Sequence, residues 1–484
     1  MIRDLEQDAE KFHQELYREY YLAEGGLKEH LAISPIYERY AHLFSEPLVR
    51  SVLTSIGDRE DRYFAEWVTL EHLENLVKDL TERISNTVRQ ATVEWDGRQE
   101  SYHNLRPLMA NERDLSRRHR LDELERAVTA SANPERTERL RLFHNGAAHL
   151  GFDSYVTMCD QLRGLDLAGL TGQMRTLLEQ TRDVFFPLLE ELLDKIGVAV
   201  QEAATCDILA LFRGSEFDAL FPQALMIPAL SDTLAGMGID LAHQENLEVD
   251  TESRPLKTSR AFCCPIRIPE EVKLVTKPTG GLEDYASLLH EAGHAEHFVH
   301  VDADLPISFK RFGDNSVTEG YAFLFQYLLL NRDWVRRKLH LREIGEYLRL
   351  AHFRKLWLLR RYASKLLYEQ QLHTALEGAE HKYVSILGDA LGVTVHPESY
   401  LADTDDAFYC AQYLRAWIFE VQLRRFLEEQ FGTEWFTTRG AGKYLISLWR
   451  RGQERRVEEL ATDMGYDGLT AKYLVQELVE FQDQ

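Results

Sequence analysis

The stretch Leu288-Leu289-His290-Glu291-Ala292-Gly293-His294-Ala295-Glu296-His297-Phe298 constrains this chain more than any other. On an α-helix, residues four apart share a face. His290 and His294 can therefore each turn a ring nitrogen toward one ion while Glu291 reaches a water held on it. Neutral imidazoles suit Zn2+, and two of them leave places for a third ligand and for a water whose pKa the metal lowers. Thr279-Gly280-Gly281 followed by Glu283 and Asp284 reads as a capped, acid-biased helix start, and Asp302, Asp304 and Pro306 as a stop. The apolar neighbours Leu288, Leu289, Ala292 and Ala295 predict burial, where unpaired histidines and a glutamate are costly without a cation.

A third ligand is sought downstream. Asp314 to Leu324 opens a second apolar helix, on which Glu319 can complete a His2Glu set. Ser316 and Glu319 also have the spacing of a capping box, in which that carboxylate turns back to its own helix start. The ligand reading is favoured because two helical histidines alone make a poor site. His300 is another candidate, since His290, His294 and His300 have the metzincin spacing, although His297 stands where that class has a turning glycine. His297, a turn beyond His294, reads as a packing residue or as support for a ligand.

Elsewhere the pattern is mainly helical, with apolar residues at three and four residue spacing in Tyr37 to Leu53, Phe64 to Leu80 and Gly164 to Leu193. Asp96-Gly97 between alternating segments predicts a hairpin. The charged run containing Arg117, Arg118, Arg120, Asp122, Glu123, Glu125 and Arg126 reads as a solvated helix face, as do the arginines around Arg360 and Arg361. Pro222 and Pro228 mark a break, and two lobes are expected, 1–230 and 231–484. Between 245 and 278, Leu247 to Val249, Ala261 to Ile268 and Val272 to Val275 read as short strands, whose edge can pair with an extended peptide or brace the helix. Tyr409 and Tyr413, four apart on one helical face, suit either a core or a pair of hydroxyl donors to an oxyanion.

With 44% hydrophobic residues in 484, the chain can bury a sizeable core. Its net charge of −23 argues against nucleic-acid and anionic-membrane partners and leaves oligomeric state open. The polar N-terminus lacks an apolar signal-peptide core, and five cysteines without ligand-like spacing point to a reducing cytoplasm.

Together these residues resemble the H-E-x-G-H-x-x-H signature of the thimet oligopeptidase and oligoendopeptidase F family of zinc peptidases, and more distantly angiotensin-converting enzyme. Ser259-Arg260-Ala261-Phe262-Cys263 is similar to the family's substrate-binding strand, and Tyr409-Cys410-Ala411-Gln412-Tyr413 to its catalytic tyrosine segment. The resemblance implies His290, His294 and Glu319 as zinc ligands, Glu291 as general base, and Tyr409 or Tyr413 as the carbonyl-polarising donor. It departs at Ala322, where the family has a serine, and at Thr404, where it has a histidine that His396 would have to replace. The glycines of that loop are absent as well. The expected protein is mainly α, two helical lobes around a deep cleft with a small sheet beside the zinc helix, hydrolysing short peptides. The alternative expectation is a zinc-binding helical protein on the same scaffold that has lost catalysis and binds peptides or partners.

Overall fold

The computed structural model describes residues 2–29, 31–258, 260–339 and 344–481; Ser259 lies outside them. The fold is mainly α. Two small sheets interrupt the helices: a hairpin of β1 (Thr92–Trp95) and β2 (Arg98–Ser101), and a three-stranded sheet of β3 (Leu247–Asp250), β4 (Phe262–Arg267) and β5 (Glu271–Val275) in the order β3-β5-β4. The hairpin turns at Asp96 and Gly97, with φ of 50° and 73°. These values are what a two-residue turn between right-twisted strands demands.

The chain divides into two compact units that interleave in sequence. Unit 1 comprises Met1–Thr69, Ser215–Leu348 and Arg415–Leu474; unit 2 comprises Leu70–Gly214, Arg349–Leu414 and Val475–Gln484. Residue 230, the expected lobe boundary, falls inside the helix Met226–Gly236 of unit 1.

In unit 1 the sheet is a platform for the histidine helix, Leu282–Val299. β3 runs parallel to β5 and β4 antiparallel to it, and Cys264, Ile266, Val272 and Leu274 are buried. The N-terminal helix Ile2–Glu24 packs along β4, where the Cys264 thiol donates to the Tyr17 carbonyl at 3.1 Å. Phe12 lies beside Trp67, and Trp67 stacks on Phe312 with ring centroids 4.5 Å apart. The histidine helix starts as its sequence suggests: the Asp284 carboxylate accepts from the backbone of Thr279 at 2.6 Å and of Gly280 at 2.9 Å. It stops after Val299.

Unit 2 corrects the reading of its charged helix. On Leu115–Ser131, Arg118, Asp122 and Glu125 are buried rather than solvated. Arg118 donates to Asp207 at 2.7 Å, Arg126 to Asp122 at 2.7 Å, and Arg106 to Glu125 at 2.9 Å. Arg360 is also buried, donating to the carbonyls of Ala390 and Leu178 with its guanidinium 4.4 Å over Phe185. Tertiary partners offset the desolvation that a charge run read alone cannot.

Candidate metal centre

His290 and His294 lie on one face of the histidine helix, and a second helix, Asn315–Gln326, packs against that face. The close approach depends on Gly293: a Cβ there would stand 2.6 Å from both the Ala322 Cα and the Tyr321 carbonyl oxygen. The missing side chain of Gly293 is thus what lets the two backbones meet. The approach brings Glu319 Oε2 to 3.4 Å from His290 Nε2 and 3.6 Å from His294 Nε2. One donor atom from each of these three side chains falls within a 4.8 Å group.

The other ring nitrogens are held as well. His290 Nδ1 meets Gln326 Oε1 at 2.8 Å, and His294 Nδ1 meets Thr318 Oγ1 at 2.8 Å. A carboxamide oxygen can only accept, so His290 donates from Nδ1, which leaves Nε2 facing Glu319. Gln326 and Thr318 belong to the glutamate helix, so one element supplies a candidate ligand and both supports. Neither was picked out from the sequence; Gln326, seven residues beyond Glu319 in an apolar helix, was the available signal.

The electrostatics fit a cation. Burial alone would push the Glu319 carboxyl up, but the two imidazoles outweigh it and hold the group well below the usual carboxylate range. Burial works against protonation of His290, yet the adjoining Glu319 raises its pKa. The buried carboxylate and the two imidazoles face one another. This nitrogen and oxygen donor set, with supports on both rings, fits a zinc ion.

The capping-box alternative for Glu319 is not realised. The cap is Asp314, which accepts from the Ser316 backbone at 3.1 Å and is itself held by both terminal nitrogens of Arg415 at 2.8 and 2.7 Å. His300 lies outside the donor group, its Nδ1 2.8 Å from the Glu296 carbonyl and its ring against Trp449. His297 is fully buried beside Tyr321, and burial takes its pKa down to about 3.

Glu291 meets the sheet. The Cys263 backbone N–H, on the outer edge of β4, donates to Glu291 Oε2 at 2.8 Å, and Arg311 donates to the Pro265 carbonyl on the same edge. The edge expected to pair with a peptide is therefore already engaged at both residues.

Tyr409 and Tyr413 belong to unit 2 and begin the helix Tyr409–Phe431, half-buried, with ring centroids 4.9 Å apart. Ala407 and Phe408 before them are left-handed, with φ of 50° and 55°. Such residues cost about 1 kcal/mol or more each. They are held by Ala407 N–H donating to the Tyr155 hydroxyl at 2.9 Å, by Arg163 donating to the Ala407 carbonyl at 2.7 Å, and by Arg139 on both Asp406 oxygens. Thr404 bonds the Leu401 carbonyl, and the His396 ring stands 3.8 Å from Asp122.

No protein-family model matches the chain, and no curated protein matches it. Among solved structures it is similar to one described as a "putative oligoendopeptidase F" from Bacillus anthracis strain Ames, at 15% identity and a TM-score of 0.63. The match covers 96% of this chain and 84% of that one. Across nearly its whole length, then, the chain has the fold of that protein.

Proposed function

We propose that the protein is a zinc metallopeptidase acting on short peptides. The observation that carries this reading is the convergence of His290 Nε2, His294 Nε2 and Glu319 Oε2, with Glu291 one residue along the same helix. The oligoendopeptidase F name of the structural neighbour supports a peptidase, and the wider reading rests on the residues.

His290, His294 and Glu319 would hold the metal. When bound, zinc supplies Lewis acidity and lowers the pKa of water at the site. Glu291 takes the proton from the attacking water and passes it to the leaving amine as the carbon–nitrogen bond breaks. The Cys263 N–H keeps that carboxylate oriented. The hydroxyl of Tyr409 or Tyr413 donates to the carbonyl oxygen as negative charge develops there. No described helix is long and apolar enough to cross a membrane, and the five cysteines are free, which agrees with work in a reducing cytoplasm.

The test is metal analysis of the purified protein together with cleavage of a mixed library of short peptides. One equivalent of zinc is expected, with cleavage of the library by the wild type. Glu291→Gln keeps an acceptor for Cys263 but cannot take the proton; it should retain the zinc and lose about 100-fold or more in rate. Full activity in that variant would overturn the mechanism. Zinc without cleavage in the wild type would favour the binding-protein reading, which the absent histidine at Thr404 motivates.

A further inference from the structure

The helix Tyr409–Phe431 starts under constraint in unit 2. Ala407 and Phe408, the two residues before Tyr409, have φ of 50° and 55°, and both are buried. A left-handed pair without glycine persists only where its surroundings over-determine it, and such outliers collect at functional sites. The chain on either side of the pair is gripped. The backbone N–H of Asp405 donates to Glu369 at 2.7 Å, and the Cys410 thiol donates to the other oxygen of the same carboxylate at 3.0 Å. Both terminal nitrogens of Arg139 donate to Asp406, at 2.6 and 2.7 Å.

Ala407 itself is held from a single element. The helix Tyr155–Arg163 runs from the Ser154 cap, whose hydroxyl accepts from the Thr157 backbone at 3.0 Å, to a left-handed stop at Gly164. Its first residue, Tyr155, accepts from the Ala407 N–H at 2.9 Å, and its last, Arg163, donates to the Ala407 carbonyl at 2.7 Å. The second terminal nitrogen of Arg163 donates to Gln412 Oε1, also at 2.7 Å. Arg163 therefore ties the residue two before Tyr409 to the residue one before Tyr413. Stability alone does not call for this brace, since a glycine at 407 would take up the same φ without strain. What the brace adds is a fixed phase for the first turn of the helix, and so for Tyr409 and Tyr413, whose rings pack edge to face.

We propose that Arg163, with Tyr155, is a positioning residue for the peptidase reaction: it fixes the hydroxyls of Tyr409 and Tyr413 for the carbonyl oxygen on which negative charge develops. The inference rests on the reading of those tyrosines as donors given above. A donor already in place stabilises that charge without reorganising, whereas a shift of about 1 Å costs about 100-fold in rate. Arg163 acts through the tyrosines and takes no part in holding the metal.

The experiment compares the full-length wild type with Arg163→Gln, with Arg163→Gln combined with Ala407→Gly, and with Tyr409→Phe and Tyr413→Phe. Peptide cleavage, zinc content, thermal unfolding and hydrogen exchange across residues 405–413 are read for each. Arg163→Gln should lower kcat by about 10- to 100-fold with KM within about threefold, keep the zinc, and speed exchange in that segment. Adding Ala407→Gly relieves the strained φ and should bring back the unfolding midpoint but not kcat; recovery of both would mean a structural role alone and overturn the proposal. In the background of the tyrosine variant that loses more rate, Arg163→Gln should add little, because its effect runs through that hydroxyl. An undiminished further loss there would also overturn it. Should Arg163→Gln fail to fold, Tyr155→Phe, which removes the acceptor of the Ala407 N–H, takes its place with a severalfold loss in kcat expected. A wild type that cleaves nothing sinks the peptidase reading and this inference with it, whatever the exchange shows. A wild type that cleaves, beside an Arg163→Gln variant with unchanged kcat, sinks the positioning role alone.

Discussion

Among the described residues three groups bring three potential metal donors within 4.8 Å, and two of them make a comparison: His290, His294 and Glu319 in unit 1, and Glu369, Asp405 and Cys410 in unit 2. In the first, two imidazoles face one buried carboxylate. In the second, the cation is built in. Lys365 Nζ stands 2.9 Å from Asp405, 3.8 Å from Asp403 and 3.9 Å from Glu369. The Cys410 thiol donates to Glu369 at 3.0 Å, and burial pushes its pKa well above the usual thiol range. Arg118 does for Asp207 beside His119 and Cys206 what Lys365 does here. Proximity of donors is thus a weak criterion. A metal site also needs its ligands deprotonated and its negative charge left uncompensated by the chain.

The contrast is broken or sharpened most strongly by removing donors. His294→Ala should lose its metal on dialysis against micromolar free zinc, whereas Cys410→Ser and Glu369→Gln should keep the wild-type metal content. Elemental analysis of the three variants reads this directly, and loss of metal in Cys410→Ser would erase the distinction. Next in size is removal of the internal cation. Lys365→Met leaves buried carboxylates uncompensated and should destabilise the protein by about 3–5 kcal/mol in urea unfolding. Rescue of that variant by zinc would mean that the second cluster takes a metal after all.

The smallest effect is a slope with pH. Burial, tempered by Lys365, raises the Glu369 carboxyl from its ordinary 4.5 to about 8. Between those values the native protein keeps a proton that the unfolded chain has lost, so stability falls as pH rises through the window. Urea midpoints at its two ends should show this decline in the wild type and a flatter line in Glu369→Gln. An identical slope in both would place the titration elsewhere.

What could be read without the structure was local. The period of four puts His290 and His294 on one face, Asp284 holds the turn that leads into their helix, and Asp96-Gly97 turns a hairpin, because each depends on backbone geometry over a few residues. The three strands before the histidine helix were legible for the same reason. The burial of Arg118 and Arg360 was not, since their partners Asp207 and Ala390 are remote in sequence and a charge run read alone shows only its solubility. Nor was the hold on Ala407 and Phe408, which comes from Tyr155, Arg163 and Arg139.

For the candidate site, sequence alone determined which residues are chemically able to serve: two histidines on one helical face, a glutamate between them, and a second apolar helix carrying Glu319. The tertiary structure decided between the competing roles of Glu319, by giving the cap to Asp314 and Arg415 and by packing Gly293 on Ala322 so that the carboxylate faces both rings. It also decided that β4 spends its Cys263 N–H on Glu291. The physical reason is range. Dihedral preferences and side-chain periodicity act within a turn or two, while hydrogen bonds and close packing between remote segments exist only once the core has brought those segments together.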